Sequence, residues 1–599
     1  MKKRKPIVTW LIITVIVTIV ACSMSVLTDT SLGKVTVKSG VVLNECGDTV
    51  KYKAYIPKTA TADNPAPVIM YAHGGSDGIS VQSSYCIEMS RRGYVVVAWD
   101  ASGAVESEIS ASDNSGATAI YNMINSWDFV DRDNMITAGH SAGANLAMSI
   151  AQNHPDQVLL QINIGYDMYG NAELGYDFNF ALIVSEWDDS CIARTTNSGT
   201  INDVFQAQKL KDIFGLTEDE TLVVDQRYGD WTAKTGRMVV TEHCAHMYYP
   251  IDRETQTDFI NLVDSVYAMP NYIAATNQVW QFEHIASALL YLCLASYIFL
   301  IVTALFKSAY FRKMELPELP LVGFRKKSWQ WWIALAVLIV LPVATFRFMV
   351  TSGLYTKFTW FITLKSKEYG LWMGWSIITA TAYLIFFLIY HFVYGKKHNG
   401  SMRNYGFSTD SVSNGFHFGY VLKALLFAVI VMGSAYVIFL AMKAVTNSNI
   451  HIIAFSINPI EKHRWFIYLM FFFCQIPYYV FGSLAARSVN MNNGDRNNVR
   501  GMIGSVALGG LIGVVGLLVL RGVLMACLYT LHRDVFFVDM YWLLGSNGIT
   551  TMFLSFLVAN ALNCYLTNRT NSIYAGVLTA MMWTTWLMVA CQRAVAYFL

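Results

Sequence analysis

The apolar positions of this 599-residue chain change character near residue 280. Between about residues 30 and 275, short apolar runs alternate with mixed segments of helical length. Beyond about residue 285 the apolar runs are long enough to cross a hydrocarbon core, which takes about 20 residues. The pattern predicts an N-terminal helix in residues 1–28, a globular domain in residues 35–268, and a bundle of about eight transmembrane helices in residues 285–599.

The N-terminus has the layout of an export signal, because Lys2, Lys3, Arg4 and Lys5 precede an apolar segment over Ile7–Leu27. The length of that segment favours an uncleaved signal anchor. Two alternatives stay open: cleavage near Ala21-Cys22-Ser23, and a bacterial lipobox with Cys22 lipidated. Each of the three exports the globular domain.

Basic residues in the loops give an independent orientation. The predicted spans are 7–27, 285–306, 329–350, 370–394, 417–443, 464–486, 501–527, 540–565 and 573–598. Connection 307–328 holds six lysines and arginines, and connections 395–416 and 487–500 hold three each. The intervening loops carry fewer, except 351–369, whose three lysines make it the weakest case for this orientation. Nine spans with a cytoplasmic N-terminus place the basic-rich loops in the cytoplasm. The prediction is a multi-pass protein of the cell membrane with its globular domain extracytoplasmic.

Buried strands alternate with helices through the globular domain. A hairpin over Val35–Val41 and Thr49–Ile56 is followed by apolar strands and intervening helical segments. The predicted strands are Pro67–Ala72, Tyr94–Trp99, Asn134–Ala138, Val158–Ile162, Phe180–Val184 and Met238–Val240. Near-continuous apolar strands separated by helices predict an α/β fold with a doubly wound, mostly parallel sheet. Ligands of such sheets bind beyond the carboxyl ends of the strands.

Composition narrows the set of partners. The formal net charge is only +2, and the globular domain has no basic stripe with interleaved aromatic residues, which excludes a nucleic-acid partner. The ten cysteines form no C-x-x-C pair, so no metal site and no cofactor are expected from them. The expected partners are membrane lipid and a small-molecule or lipid-like substrate.

The segment Gly139-His140-Ser141-Ala142-Gly143 carries the most specific chemistry. An apolar strand precedes it and a helix-like run follows it, so Ser141 lies at the apex of a sharp strand–turn–helix. A serine on such an elbow projects toward a base, and Gly139 and Gly143 leave room for the strand and helix to cross. The motif predicts a nucleophile.

With this motif the chain resembles the α/β-hydrolase superfamily over residues 35–268, closest to its esterase, lipase and dienelactone-hydrolase-like branches. The resemblance rests on the order of hairpin, strand with His73-Gly74-Gly75, elbow, acid and histidine. It implies a Ser-Asp-His triad in that order. It does not extend to the membrane bundle, for which no family is recognised.

The acid and the base are assigned by their position after strands. Asp188 follows Phe180–Val184 at the spacing that the resemblance implies, while Asp189 and Glu186 remain competitors. His246, in Ala245-His246-Met247, follows the last core strand, and His243 is its rival. His140 and His154 are assigned structural or solvent roles.

The oxyanion hole needs two backbone N–H donors. The amide of Ala142, directly after the nucleophile, is one candidate, and the amide of Gly75 is the other. His73 and Gly74 support the same turn, which also includes Ser76. Glycines in this turn would let the backbone approach the substrate closely.

Two further features surround the predicted site. Cys191 and Cys244 lie in the loops that carry the acid and the base, so a disulfide between them and a pair of buried thiols both stay open. The segment 190–235 is longer than a minimal connection and is a candidate cap over the pocket.

Together these features predict a membrane-embedded serine hydrolase that cleaves a carboxylic ester through an acyl-enzyme on the extracytoplasmic side. One alternative is an acyltransferase that uses the same acyl-enzyme. Another is a transport or sensing protein whose hydrolase-like domain only binds ligand. The bundle carries little intramembrane charge, which counts against an ion-coupled transporter. Its Arg347, Lys423 and Arg521 are expected to snorkel from the ends of the spans.

Overall fold

The structure is a computed structural model that describes residues 6–75, 77–110, 115–167, 170–191, 200–317, 322–358, 367–410, 413–453, 455–489, 499–531 and 540–591. Ser76, residues 192–199 of the predicted cap and the end of the last predicted span lie outside these ranges.

A nine-stranded sheet forms the centre of the α/β domain. Its strands are β1 (Val35–Leu43), β2 (Thr49–Pro57), β3 (Ala66–Ala72), β4 (Val95–Trp99), β5 (Val130–His140), β6 (Val158–Ile164), β7 (Asn179–Ser185), β8 (Arg227–Tyr228) and β9 (Arg237–Glu242). They lie in the order β1-β2-β4-β3-β5-β6-β7-β9-β8. The strands from β4 to β9 along this order pair in parallel, while β1, β2 and β8 pair antiparallel. The predicted mostly parallel sheet is confirmed, and the two-residue strand β8 is an addition.

Helices cover both faces of the sheet. They are α2 (Ser83–Arg91), α3 (Ala117–Asn125), α4 (Ala142–Asn153), α5 (Ile201–Phe205), α6 (Gln208–Phe214) and α7 (Arg253–Val266), after the N-terminal helix α1 (Pro6–Asp29). One apolar core includes α3, α4 and α6, and the other includes α2 and α7. The strands alternate their side chains between these two cores because successive residues of a strand point to opposite faces.

The rest of the chain is mostly helical. It comprises α8 (Trp280–Leu305), α9 (Ala309–Arg312), α10 (Trp329–Thr351), α11 (Tyr355–Phe358), α12 (Lys367–Val393), α13 (Phe418–Thr446), α14 (Trp465–Ala486), α15 (Val499–Leu531), α16 (Met540–Thr570) and α17 (Tyr574–Cys591), with a small hairpin of β10 (Ile450–Ile452) and β11 (Phe455–Ile457) between α13 and α14. Within the described residues, seven helices are long and apolar enough to cross a membrane. These are α1, α8, α10, α12, α13, α14 and α15, and the other two predicted spans coincide with α16 and α17.

The α/β domain is docked on the bundle through buried polar contacts. Asp29, at the end of α1, forms a 2.7 Å ion pair with Lys53 of β2. Glu88 of α2 accepts hydrogen bonds from the first backbone amides of α8, at 2.7 Å from Val279 and 3.0 Å from Trp280. Arg464 donates to the carbonyl of Gly103 at 2.7 Å. The α/β domain therefore packs directly on the helices, and the two parts are not connected by a flexible linker alone.

Candidate functional site

Ser141 lies on a strained turn between β5 and α4. Its backbone has φ 52° and ψ −128°, a conformation that non-glycine residues rarely adopt. A Cβ added at Gly139 would overlap the backbone of Gly143, and one at Gly143 would overlap the carbonyl oxygens of Ala72 and His73. Both elbow glycines are therefore required by close backbone approach, as the motif predicts.

The structure brings the three predicted side chains together. His246 Nε2 lies 2.8 Å from Ser141 Oγ, and His246 Nδ1 lies 3.0 Å from both carboxylate oxygens of Asp188. Asp188 is fully buried and His246 is 3% exposed, whereas Ser141 is partly open. The histidine can therefore accept the serine proton while its other nitrogen donates to the carboxylate.

Several donors converge on Asp188. Besides His246, the backbone amides of Ser190 and Cys191 donate to Oδ1 at 2.9 and 2.7 Å, and the Tyr249 hydroxyl donates to Oδ2 at 2.9 Å. Burial raises the pKa of the Asp188 carboxyl, but the charge of His246 and these hydrogen bonds outweigh it and lower the pKa to about 2. The carboxylate remains ionised, as an orienting acid must.

The His73-Gly74-Gly75 turn lies beside the elbow. His73 Nε2 accepts from the amide of Ala101 at 3.0 Å, so its Nδ1 carries the proton and donates to the Gly74 carbonyl at 2.6 Å. A Cβ added at Gly75 would lie 3.7 Å from the Cβ of Ala142. The two predicted oxyanion residues are thus neighbours across the mouth of the site.

His140 has a structural position beneath the base. Gln82 Nε2 donates to His140 Nδ1 at 3.0 Å, so His140 Nε2 donates to the carbonyl of His246 at 3.0 Å. Burial lowers the pKa of His140, although the nearby Asp77 acts in the opposite direction. The lowered pKa keeps the His140 ring neutral. The neutral imidazole fixes the backbone that carries the base.

The rival residues occupy other positions. His243 has a side chain that is 55% exposed and lies near Glu186 and Glu254. Asp189 turns away from the His246 ring: its Oδ1 accepts the backbone amide of His246 at 3.1 Å, and its Oδ2 pairs with Arg521 Nη2 at 2.8 Å. The geometry therefore favours His246 over His243 and Asp188 over both Asp189 and Glu186.

The buried positions of Cys191 and Cys244 favour the pair of thiols over a disulfide between them. Cys191 packs in the core on one face of the sheet and Cys244 in the core on the other. The two side chains therefore pack on opposite faces of the sheet, although their loops meet where Asp188 contacts His246.

The described part of the segment 190–235, which excludes residues 192–199, contributes to the domain core. Phe205, Leu210 and Phe214 of α5 and α6 are buried against the sheet. Trp231 is 8% exposed and also belongs to the core.

Asp188, Cys191 and His246 also offer three metal-ligand atoms within 4.8 Å of one another. A metal at this position would bind His246 Nδ1, the nitrogen that donates to Asp188. The same three residues therefore cannot bind a metal while His246 and Asp188 act in a triad. The short Ser141–His246 distance fits the triad arrangement.

Two residues of the site were missed at the sequence level. Tyr249 lies three residues after His246, in a 3₁₀ turn over His246–Ile251. The sequence shows this spacing, but it does not show that the Tyr249 hydroxyl points toward Asp188. Arg521 comes from α15 of the bundle and was expected to snorkel from a span end. It is instead buried against Asp189, because the α/β domain rests on that helix.

Comparisons with known proteins add little. No protein-family model matches the chain, and no curated protein matches its sequence. Among solved structures, the chain is similar to a thioesterase domain from the curacin biosynthetic pathway, with 12% identity, a TM-score of 0.26 and coverage of 38% of this chain and 99% of that one. It is also similar to an S-formylglutathione hydrolase from Agrobacterium tumefaciens, with 15% identity, a TM-score of 0.28 and coverage of 39% and 95%. A hyperthermophilic esterase from the archaeon Pyrobaculum calidifontis matches with 14% identity, a TM-score of 0.27 and coverage of 42% and 87%. Similarities at this level of identity and TM-score carry no information on the function of this chain.

Proposed function

We propose that this protein is a membrane-embedded serine hydrolase that cleaves a carboxylic ester. The observation that carries the proposal is the Ser141 hydroxyl on a strained elbow, 2.8 Å from a histidine nitrogen whose ring is oriented by a buried carboxylate. Serine is a poor nucleophile unless a base takes its proton, and this arrangement supplies the base and the group that orients it.

The proposed reaction follows from these positions. His246 Nε2 takes the Ser141 proton as Oγ attacks the ester carbonyl carbon. The amides of Ala142 and Gly75 donate to the oxyanion, and His246 then returns the proton to the leaving alcohol. Water, activated by the same histidine, releases the carboxylic acid from the acyl-enzyme and restores Ser141.

Two observations support catalysis over ligand binding alone. A site that only binds needs no serine held at φ 52°, because such backbone strain has to be stabilised by the rest of the fold. It also needs no buried carboxylate with a pKa lowered to about 2 behind a histidine. Both features favour an enzyme.

Membrane proximity is the second part of the proposal. The carboxyl ends of the strands face the bundle through Arg464 and Arg521, so the ester is expected near the membrane surface. The export signal and the basic loops favour the extracytoplasmic side. A lipid-like ester fits this location.

The testing experiment measures ester turnover by the full chain in detergent micelles and in vesicles. We expect p-nitrophenyl esters to be hydrolysed by wild type, with activity lost in the Ser141→Ala variant. The matched control is Ser149→Ala on α4, whose half-buried hydroxyl donates to the carbonyl of Leu146 at 2.7 Å. This variant should keep full activity. Equal turnover by wild type and Ser141→Ala would refute the proposal.

Products separate hydrolysis from acyl transfer. A hydrolase releases free acid at the same rate with and without added glycerol or another alcohol. If acyl product on the alcohol exceeds free acid, the protein is an acyltransferase and the hydrolase proposal is wrong, although the roles of the triad stand.

A further inference from the structure

A second cluster of ionisable side chains lies at the junction of the α/β domain and the bundle, apart from Ser141. It consists of Glu283 and His284 in the first turns of α8 and His451 in β10. One ligand atom from each of these residues lies within 4.8 Å of the others. Glu283 is 1% exposed and His451 is fully buried.

A backbone carbonyl fixes the orientation of the His451 ring. Its Nδ1 lies 3.1 Å from the carbonyl oxygen of Asn449, which can only accept, so Nδ1 carries the proton. This leaves Nε2 facing Glu283 Oε2 at 2.9 Å. Histidines that bind metals commonly donate their other ring N–H to a backbone carbonyl in this way, because it fixes the ring and the free nitrogen.

His284 supplies the independent observation. Both of its ring nitrogens are buried, and neither has a hydrogen-bond partner among the described residues. Its ring lies edge-on to that of His451, with centroids 4.7 Å apart and planes at 90°. Leaving a buried polar nitrogen without a partner is unfavourable, so a bound group is expected beside His284.

An ion pair between His451 and Glu283, without a bound cation, accounts for only some of the contacts in this cluster. An imidazolium at His451 paired with Glu283 would account for their 2.9 Å contact, but it would leave both nitrogens of His284 unsatisfied beside the positive charge of His451. A cation among the three side chains accounts for the carboxylate, the fixed His451 nitrogen and one of the two His284 nitrogens together.

We propose that Glu283, His284 and His451 bind one divalent transition-metal ion, with Zn²⁺ as the best match. Two imidazoles and one carboxylate are ligands that zinc accepts at about 2.0–2.2 Å, and a three-residue set leaves a position for water. Calcium and magnesium fit poorly because they prefer oxygen ligands.

The position assigns the ion a structural role. Ser83 of α2 donates to Glu283 Oε2 at 3.3 Å, and Ser287 Oγ accepts the backbone amide of His451 at 2.6 Å. A metal here joins α8, the β10 hairpin and α2 of the α/β domain. The proposal does not depend on Ser141 being a nucleophile.

The test uses the full chain purified in detergent through an affinity tag without histidine. The protein is stripped with EDTA, dialysed and titrated with Zn²⁺ against a chromophoric chelator, and bound metal is counted by mass spectrometry. We expect about one tightly bound equivalent in wild type and none in the His284→Ala/His451→Ala variant. We also expect Zn²⁺ to raise the thermal unfolding midpoint of wild type by several degrees, because a ligand that binds only the folded state stabilises it.

The matched control is His246→Ala, which removes the other candidate ligand set of Asp188, Cys191 and His246. It should abolish ester turnover and keep the zinc equivalent, so failure of the metal proposal and failure of the proposed hydrolase are distinguishable. Zinc lost in His246→Ala, or retained in the double variant, would overturn the metal proposal.

A measurement on wild type alone covers the case in which the double variant does not fold. X-ray absorption of the zinc-loaded protein should show two imidazole ligands and oxygen, without sulfur. A sulfur ligand would place the ion at Cys191 and contradict the assignment, as would wild type that binds no tight equivalent.

Discussion

At the scale of single residues, Asp188 receives hydrogen bonds from His246, from two backbone amides and from the Tyr249 hydroxyl. These donors keep it ionised in spite of complete burial. They also orient the carboxylate toward His246 Nδ1, so the acid selects the tautomer in which Nε2 is free to take the serine proton.

Asp188→Asn tests this role. An amide cannot stabilise the imidazolium, so we expect kcat to fall by about 10⁴-fold while the protein still folds.

The folded-state pKa of about 2 for Asp188 lies below the ordinary 3.8, so the carboxylate stabilises the fold fully above about pH 4 and loses this contribution as pH falls toward 2. Chemical unfolding of both proteins should therefore show a stability gap at pH 7 that narrows between about pH 4 and pH 2. A gap that does not change with pH would contradict the lowered pKa.

Tyr249→Phe removes one donor to Asp188 and leaves the ring in place. A hydrogen bond to a charged group contributes about 1.5–3 kcal/mol, so we expect kcat/KM to fall by about 10- to 100-fold. Steady-state kinetics measures the effect. The control is Tyr248→Phe at the neighbouring position, which should stay within about twofold of wild type.

At the scale of elements, the elbow depends on helix α4 crossing the ends of strands β5 and β3 at glycine. A methyl group at Gly143 would overlap two backbone carbonyl oxygens, which cannot move aside as a flexible side chain could. The conformation of Ser141 is therefore maintained by β3 and α4 rather than by its own preference.

Gly143→Ala should consequently lower the thermal unfolding midpoint by several degrees or prevent folding, and abolish turnover, because overpacking costs at least about 1–3 kcal/mol. Gly433→Ala in α13 is the control, since nothing lies within 4 Å of the added Cβ. Circular dichroism melting of both variants provides the comparison, and equal stability would refute the steric account.

The elements around the site differ in how far sequence predicts them. The elbow, the Gly-Gly turn and the acid and base loops were predictable because each follows an apolar strand within a few residues. Strand β8 was not, because Arg227-Tyr228 is too short to show an alternation. The direction of Asp189 could not be predicted either, since adjacent loop carboxylates look alike until their partners are known.

At the scale of the whole molecule, the bundle directly contacts the loop that carries Asp188 and Asp189. Arg521 of α15 pairs with Asp189 Oδ2, and Asp189 Oδ1 accepts the backbone amide of His246. Arg521 and Asp189 lie 332 positions apart, and no sequence pattern connects them. The cluster of Glu283, His284 and His451 was likewise hidden, because His451 is far along the chain from the other two. Long-range pairs of this kind arise from how the two parts dock.

Arg521→Met should leave Asp189 as a buried, unpaired charge and shift the His246 backbone. We expect kcat to fall by about 10- to 100-fold with KM within about twofold, because the effect acts on the base rather than on substrate binding. Arg521→Lys should restore part of the rate. Lys423→Met, on the same bundle, should have no effect, and an equally small effect of Arg521→Met would refute the coupling.

The central claim, that Ser141 is the nucleophile, is tested most directly by a fluorophosphonate probe. The account predicts that the probe labels the folded wild-type protein at a single peptide containing Ser141, identified by mass spectrometry, and that labelling disappears in Ser141→Ala and His246→Ala but persists in His243→Ala. Folded wild type that is not labelled, or labelling that survives in Ser141→Ala, would contradict the account.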